Sequence, residues 1–156
     1  MKREEAMSEY IHKAHNVTML LYHFVCPAKY RKIVFDEKAV ETVLRETCEE
    51  IEKRYEIRFL EIGSDQDHVH FLVQSVPEVS PSQIIRTIKS ITAKKIFEKC
   101  PQVKEKLWGG AFWTKGFFVN TVGLHGNEET IAQYVRNQGK EQEYRKFQRK
   151  QISFFD

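Results

Sequence analysis

The sequence predicts an α+β fold in which an antiparallel sheet is covered by helices on one face. Stretches dense in β-branched and aromatic residues alternate with longer stretches whose apolar residues recur at helical spacing. Two adjacent strand-like stretches, residues 56–63 and 67–75, are joined by a few polar residues, which indicates a hairpin and therefore antiparallel pairing. A chain of 156 residues with 41% hydrophobic side chains can bury one core of its own. We therefore expect a single domain over 1–156, with its core at about 16–139 and a basic tail at 140–156.

The first half of the chain begins with a predicted strand and a predicted helix, which precede the hairpin. Residues 17–26 are rich in β-formers and stop at Pro27, which is typical of a buried strand. Asp36 can cap a helix that continues to about Tyr55. Apolar residues recur along this helix at the spacing of one buried side. They are Val40, Val43, Leu44, Cys48 and Ile51.

The second half contains two more predicted helices and one more strand. Ser80, Pro81 and Gln83 have the spacing of a capping box at the start of a long helix, whose buried side carries Ile84, Ile88, Ile91 and Ile96. The chain after Pro101 is expected to be irregular, and residues 111–123 are expected to form the fourth strand. A short helix then begins at the cap Asn127 and ends at Gly139.

The predicted order of elements is β-α-β-β-α-β-α. Its first six elements match the split-βαβ, ferredoxin-like pattern, in which two helices cover one face of an antiparallel sheet. The opposite face is then free for a functional site. Because this fold carries many unrelated functions, the function must be argued from particular residues.

Bulk composition excludes several classes of protein. The sequence has no apolar run long enough to span a bilayer, and its first residues lack an apolar signal region, so a cytoplasmic protein is expected. The three cysteines are far apart and do not form a disulfide framework. The net charge of +3 equals the local excess within residues 139–150, where five basic side chains meet two acidic ones. This tail fits either a polyanion-binding segment or a solvated helix.

His68 and His70 are the first candidate functional residues. Alternation along a strand places both imidazoles on one face, while Val69 and Phe71 point to the other. Such a pair can bind a metal ion, but alone it is more often explained by solvated side chains on an open sheet face.

Tyr134 and Gln138 are the second pair of candidates. They lie four residues apart on the last predicted helix and therefore share one side of it. A glutamine amide oxygen can be a third ligand beside two imidazoles, with a phenol one turn away. Taken by itself, this spacing is better explained by a short amphipathic helix that covers the edge of a core.

The two pairs together resemble the single-tyrosine HUH transposases of bacterial and archaeal insertion sequences, the TnpA transposases. HUH denotes His-hydrophobic-His, here His68, Val69 and His70. The resemblance extends from about Asn16 to Gly139, and the late helix with Tyr134 and Gln138 completes it.

This resemblance implies a specific chemistry. It implies that His68, His70 and Gln138 hold one divalent ion, Mg²⁺ or Mn²⁺, and that Tyr134 is the catalytic nucleophile. Attack on a single-stranded DNA with hairpin ends would give a covalent 5′-phosphotyrosine and a free 3′-OH. It also implies a homodimer in which the tyrosine helix of one chain can complete the partner's site.

Cations on the second predicted helix are candidates for contacts with DNA phosphates, although a charged helix face is usually just solvated. They are Arg86, Lys89, Lys94 and Lys95. The nearby aromatic residues are more often core than base-stacking, and four further histidines are interpreted as structural. The aromatic residues are Phe112, Trp113, Phe117 and Phe118, and the histidines are His12, His15, His23 and His125.

Two other functions remain open from the sequence. Another HUH nickase, of the replication-initiator or relaxase type, would share the chemistry but not the biology. A ferredoxin-like module that binds nucleic acid or metal without catalysis would make the two histidines incidental.

Overall fold

The structure is a computed structural model that describes residues 20–108 and 110–122, together with the backbone of Ile11–His12, Val17–Thr18 and Arg145–Phe147. Its strands are β1 (Ile11–His12), β2 (Val17–Thr18), β3 (Leu20–Pro27), β4 (Arg58–Ser64), β5 (His68–Ser75), β6 (Phe118–Thr121) and β7 (Arg145–Phe147). Its helices are α1 (Lys38–Arg54), α2 (Pro81–Lys99) and α3 (Pro101–Lys106). Within these described segments, no helix has the length and apolar character needed to cross a membrane.

The main sheet is antiparallel and has the strand order β6-β3-β5-β4-β7. Its first four strands have the order of the split-βαβ pattern, which confirms the predicted fold class. β7 lies within the segment expected to be a basic tail, and it extends the sheet by pairing with β4. β1 and β2 pair with each other in a separate two-stranded sheet.

One face of the sheet packs against α1 and α2 to form the hydrophobic core. Val69, Phe71 and Val73 of β5 belong to this core, together with Phe24 and Cys26 of β3. Strand alternation therefore points His70 to the other face, as predicted. All of the predicted apolar positions of α1 are buried, and so are Ile84, Ile88 and Ile96 of α2.

The second face of the sheet carries buried polar side chains. This face was expected to be free for a functional site. It is not simply open to solvent, because four polar side chains are buried along it: His23, Glu61, His70 and Gln74. Buried polar groups are costly unless they interact with one another or with other polar groups. Such a layer is more characteristic of a functional face than of a second hydrophobic core.

The helix starts illustrate local sequence signals of different strength. At α2 the predicted capping box is confirmed, since Ser80 Oγ accepts from the Gln83 backbone N–H and the Gln83 side chain accepts from the Ser80 backbone N–H. At α1 the predicted cap Asp36 is wrong by one residue. Glu37 occupies the N-cap position and makes no side-chain cap hydrogen bond. The approach to α1 is instead held by the Phe35 backbone N–H, which donates to the Gln66 carbonyl at 3.0 Å.

Two predictions after residue 100 are wrong. The segment expected to be irregular begins with α3, because Pro101 is compatible with the first position of a helix. The strand expected over residues 111–123 is limited to Phe118–Thr121. Tertiary contacts override β-propensity in the preceding residues, where Trp113 forms an isolated bridge with Ala28.

Candidate active site

β5 holds His68 and His70 side by side at its start. Their ring centroids are 5.0 Å apart, with the ring planes at 66°. His70 is buried, and the side chain of His68 is 13% exposed. The pair therefore lies where the buried polar face meets the more accessible end of the strand.

Asp67 orients the imidazole of His68. Asp67 Oδ1 lies 2.8 Å from His68 Nδ1, and Asp67 Oδ2 accepts a hydrogen bond from Arg31 Nε at 3.1 Å. Burial by itself would raise the pKa of the Asp67 carboxyl, but the hydrogen bond to His68 and the charge of Arg31 lower it below the ordinary value. The carboxylate is therefore ionised at neutral pH and accepts a hydrogen bond from Nδ1–H of His68, which directs Nε2 of His68 away from it.

The turn before β5 is held by the segment that follows β3. The Ala28 backbone N–H donates to the Asp67 carbonyl at 2.8 Å, and the Val34 N–H donates to the Gln66 carbonyl at 3.0 Å. Asp65 N–H donates to the His68 carbonyl at 2.9 Å. These backbone bonds fix the position of Asp67, and therefore of the carboxylate that orients His68.

His23 is a residue of this site that the sequence reasoning missed. Its Nε2 lies 2.9 Å from Nδ1 of His70, and both side chains are buried. The two histidines are 47 positions apart in sequence but lie on neighbouring strands. The available signal was the predicted strand order, because the first and third strands of a split-βαβ sheet are adjacent and His23 falls in the first.

Burial keeps both histidines of this contact neutral. It lowers the pKa of His70 to about 3, with further lowering from the charges of His23 and His68. Burial also lowers the pKa of His23, against a side-chain hydrogen bond with Asn120 that raises it. A neutral imidazole is the form that binds metal ions, so His70 needs no deprotonation to act as a ligand at neutral pH.

The described residues supply two imidazole nitrogens suited to a divalent ion, but they do not supply a third ligand. In both His68 and His70 a protein group faces Nδ1, so Nε2 is the nitrogen available to a ligand. Among the residues that the structure describes, no cluster of three His, Cys, Asp or Glu side chains is suited to hold a metal ion. Tyr134 and Gln138, the other predicted site residues, lie outside the described residues.

The four predicted phosphate-contacting cations on α2 do not form one patch. Arg86 and Lys89 line a groove of about 550 Å³ between α2 and residues 111–117. Lys94 and Lys95 do not line it. Since successive helical residues are rotated by about 100°, Lys95 lies on the opposite side of the helix from Arg86.

Lys89 differs from the other three cations in its hydrogen bonds. Its Nζ donates to the carbonyl oxygens of Thr114, Lys115 and Gly116 at 2.6, 3.3 and 3.2 Å. Burial lowers its pKa. Three donors are all that an ammonium group has, so in this arrangement Lys89 holds the wall of the groove, while the exposed Arg86 keeps its guanidinium at the rim.

One wall of the groove is hydrogen-bonded to β3, the strand that pairs with the histidine-bearing strand β5. Thr114 N–H donates to the Pro27 carbonyl at 3.0 Å, and Pro27 is directly opposite His68 in the β3–β5 register. Phe112 and Trp113 are buried, as expected of core residues. Phe117 and Phe118 are 37% and 57% exposed, so the expectation that these two are core residues is wrong.

Comparison with known proteins gives a consistent family assignment. The sequence model of the family described as "Transposase IS200 like" matches residues 16–138. The transposase for insertion sequence element IS200 from Salmonella typhimurium is 31% identical over 131 residues, which cover 82% of each chain. The ISDra2 transposase TnpA from Deinococcus radiodurans is 28% identical over 122 residues, covering 78% of this chain and 86% of its own.

Solved structures agree with the sequence comparisons. A Deinococcus radiodurans R1 protein assigned as a transposase superposes with a TM-score of 0.65 at 26% identity, over 83% of this chain and 98% of its own. A REP-associated tyrosine transposase, solved with a REP hairpin, has the same fold, with a TM-score of 0.54 at 10% identity over 82% of this chain and 71% of its own. The family model spans most of the chain and includes the His68–His70 strand, so the protein belongs to the IS200-like transposase family.

Proposed function

We propose that this transposase cleaves and rejoins single-stranded DNA at the ends of an insertion sequence, through a metal-dependent reaction with a covalent 5′-phosphotyrosine intermediate. The observation that carries the proposal is the arrangement of His68 and His70. Both rings have Nδ1 facing a protein group, and the pKa of His70 is held far below neutral by burial. Two imidazoles that are held through Nδ1 in this way can bind a cation through Nε2.

His68, His70 and Gln138 would hold one Mg²⁺ or Mn²⁺ ion. The ion would supply Lewis-acid stabilisation of the charge that develops on the scissile phosphate. All three side chains are neutral, so they leave the charge of the ion uncompensated. Asp67 keeps the His68 ring in a fixed orientation while its own charge is shared with Arg31.

Tyr134 would be the nucleophile. Its phenolic oxygen forms a bond to the DNA phosphorus, the bond from phosphorus to the 3′ oxygen breaks, and the DNA is left with a free 3′-OH. A phenol has a pKa near 10, so its proton must pass to water or a base as the new bond forms. One phosphodiester is exchanged for another, which lets the reaction run back onto a new strand end without an energy source.

The groove beside α2 supports a single-stranded substrate. Proteins that bind single strands combine a positively charged groove with exposed aromatic rings on which bases stack. Arg86 lies at the rim of this groove, and the partly exposed ring of Phe117 lines it. The REP-associated relative binds a DNA hairpin, and by analogy we propose that this chain recognises hairpins at its element's ends.

The decisive experiment tests for the covalent intermediate. Single-stranded DNA that carries an end hairpin and cleavage site is incubated with the protein and Mg²⁺, and the adduct is detected on a denaturing gel. Tyr134→Phe removes only one hydroxyl and should abolish the adduct while leaving DNA binding nearly intact. Tyr55→Phe, at an exposed tyrosine after α1, is the matched control and should form the adduct at the wild-type rate. Adduct formation by the Tyr134 variant would show that the nucleophile is another residue.

We further propose that the active form is a homodimer whose sites are composite, with Tyr134 and Gln138 of one chain meeting His68 and His70 of the other. A heterodimer of His68→Ala with Tyr134→Phe then contains one intact site, whereas assembly within one chain leaves none. Each variant alone should be inactive, and nicking should return after subunit exchange. Proven heterodimers that remain inactive would refute composite sites.

A further inference from the structure

We infer that His23 is a positioning residue of the metal site: it accepts a hydrogen bond from Nδ1 of His70 and thereby holds the His70 ring with Nε2 directed to the ion. Asn120 lies opposite His23 on the neighbouring strand β6. The inference rests on the proposed function, because it concerns the ion that His68 and His70 would bind. It assigns a role to a histidine that belongs neither to the HUH motif nor to the predicted helix of Tyr134.

The contact between the two histidines is short, buried and nearly coplanar. His23 Nε2 and His70 Nδ1 are 2.9 Å apart, the ring planes differ by 14°, and the ring centroids are 5.2 Å apart. His23 is 1% exposed and His70 is 3% exposed. In a site that excludes water, this hydrogen bond cannot readily be exchanged for one to solvent, so it restricts rotation of the His70 ring.

The position of His23 follows from strand register. His70 pairs with Val25, and Leu72 pairs with His23, so the two histidines are diagonal neighbours on the same face of β3 and β5. His23 is also directly opposite Asn120 on β6. Asn120, His23 and His70 therefore form a row across three adjacent strands.

The number of protons on the two rings determines which nitrogen donates and which accepts the hydrogen bond. A single proton lies between the two facing nitrogens, and a nitrogen that binds a cation must keep its lone pair. If Nε2 of His70 is the ligand, its proton is on Nδ1, and Nε2 of His23 must be the acceptor. The proton of His23 is then on its own Nδ1, and Asn120 is the polar residue directly opposite His23 on β6. The opposite direction would put a proton on Nε2 of His70 and block binding.

A purely structural His23 would behave differently from a positioning one. As a space-filling ring in the sheet, it could be replaced by another ring at the cost of stability alone. As the acceptor for His70, it can be replaced only by a side chain that presents a lone pair at the same place. Glutamine can place its amide oxygen near the position of the imidazole Nε2, whereas phenylalanine has no acceptor.

The test compares His23→Phe with His23→Gln in the full-length protein by calorimetric titration with Mn²⁺. His23→Phe should weaken Mn²⁺ binding by about 10- to 100-fold, the usual effect of losing an orienting partner, and His23→Gln should recover most of that loss. Leu21→Ala is the control, because Leu21 is buried two residues before His23 on the same face of β3. It should lower thermal stability and leave Mn²⁺ affinity unchanged.

The outcomes separate this inference from the function on which it rests. If wild-type protein binds Mn²⁺ and His23→Phe binds it equally well, the inference fails and the metal site stands. If the wild-type protein binds no Mn²⁺, the proposed metal site fails and the inference fails with it. Imidazole ¹⁵N shifts of metal-free wild-type protein give a readout that needs no variant. A proton on Nδ1 of His70 supports the inference, and a proton on Nε2 overturns it.

Discussion

Removing the carboxylate of Asp67 should weaken divalent-ion binding, because this group orients the imidazole of His68. Asp67 is not itself a proposed ligand of the ion. The distance of 2.8 Å between Asp67 Oδ1 and His68 Nδ1 lies in the range of charge-assisted hydrogen bonds. Loss of such an outer partner typically reduces metal affinity by about 10- to 100-fold, which corresponds to about 1.4 to 2.8 kcal/mol. Two substitutions of Asp67 should give losses of metal affinity at opposite ends of that range.

Asp67→Asn keeps an oxygen that can accept from Nδ1 and removes only the charge. The side chain of Asp67 is 26% exposed, so solvent already screens part of that charge, and we expect about a tenfold loss, the lower limit. Asp67→Ala removes the acceptor as well and should approach about a 100-fold loss. The assay is calorimetric titration of the full-length protein with Mn²⁺, with thermal unfolding recorded for each variant.

Arg31→Gln is the matched control for the charge network. Arg31 contacts Oδ2 of Asp67, not the oxygen that faces His68, and its side chain is 61% exposed. We expect less than about a threefold change in Mn²⁺ affinity, since exposed ion pairs contribute little. Wild-type affinity in Asp67→Ala, with an intact fold, would refute the reasoning that Asp67 orients a metal-binding imidazole.

Three further predictions concern the cations of the groove, the pH dependence of stability and the proposed ligand Gln138. Lys89→Met should lower the free energy of unfolding by about 1 to 2 kcal/mol, because three carbonyls of the groove wall lose their donor, whereas Arg86→Gln should leave stability unchanged and weaken single-stranded DNA binding. Urea unfolding and fluorescence anisotropy separate these effects, and equal stability of the two variants would contradict the assigned role of Lys89. His70 by itself should make the metal-free protein less stable at pH 5.5 than at pH 7.5 by about 1.4 kcal/mol. The reason is that His70 takes up a proton below about pH 6.5 when unfolded but, with its pKa at about 3, stays neutral when folded. This contribution is therefore lost as the pH falls from 6.5 towards 3, and a pH-independent stability, or an unaltered pH dependence in His70→Gln, would argue against it. Gln138→Ala should weaken Mn²⁺ binding less than His68→Ala does, because water can replace one neutral oxygen ligand. A larger loss of Mn²⁺ affinity in Gln138→Ala than in His68→Ala, measured by calorimetry, would show that Gln138 is not the weaker ligand.

Features that depend on local spacing could be predicted from the sequence alone. The capping box of Ser80 and Gln83 is formed within four consecutive residues, so no distant part of the chain is needed to specify it. Strand alternation likewise placed Val69 and Phe71 in the core and His70 on the other face. The order of elements was sufficient for the split-βαβ fold class, because few topologies accommodate it.

Contacts between distant segments were decided by the tertiary structure. His23 meets His70 only because β3 and β5 pair in a particular register, and a shift of one residue would turn His23 to the opposite face. Lys89 was a candidate phosphate contact by charge, yet its ammonium group donates to carbonyls 25 to 27 residues away. Residues 111–117 have strand-like composition but pack as the irregular wall of a groove. Composition and periodicity indicate only the local conformational preference of each segment. The contacts of His23, of Lys89 and of residues 111–117 depend on which distant segments pack against them in the folded chain.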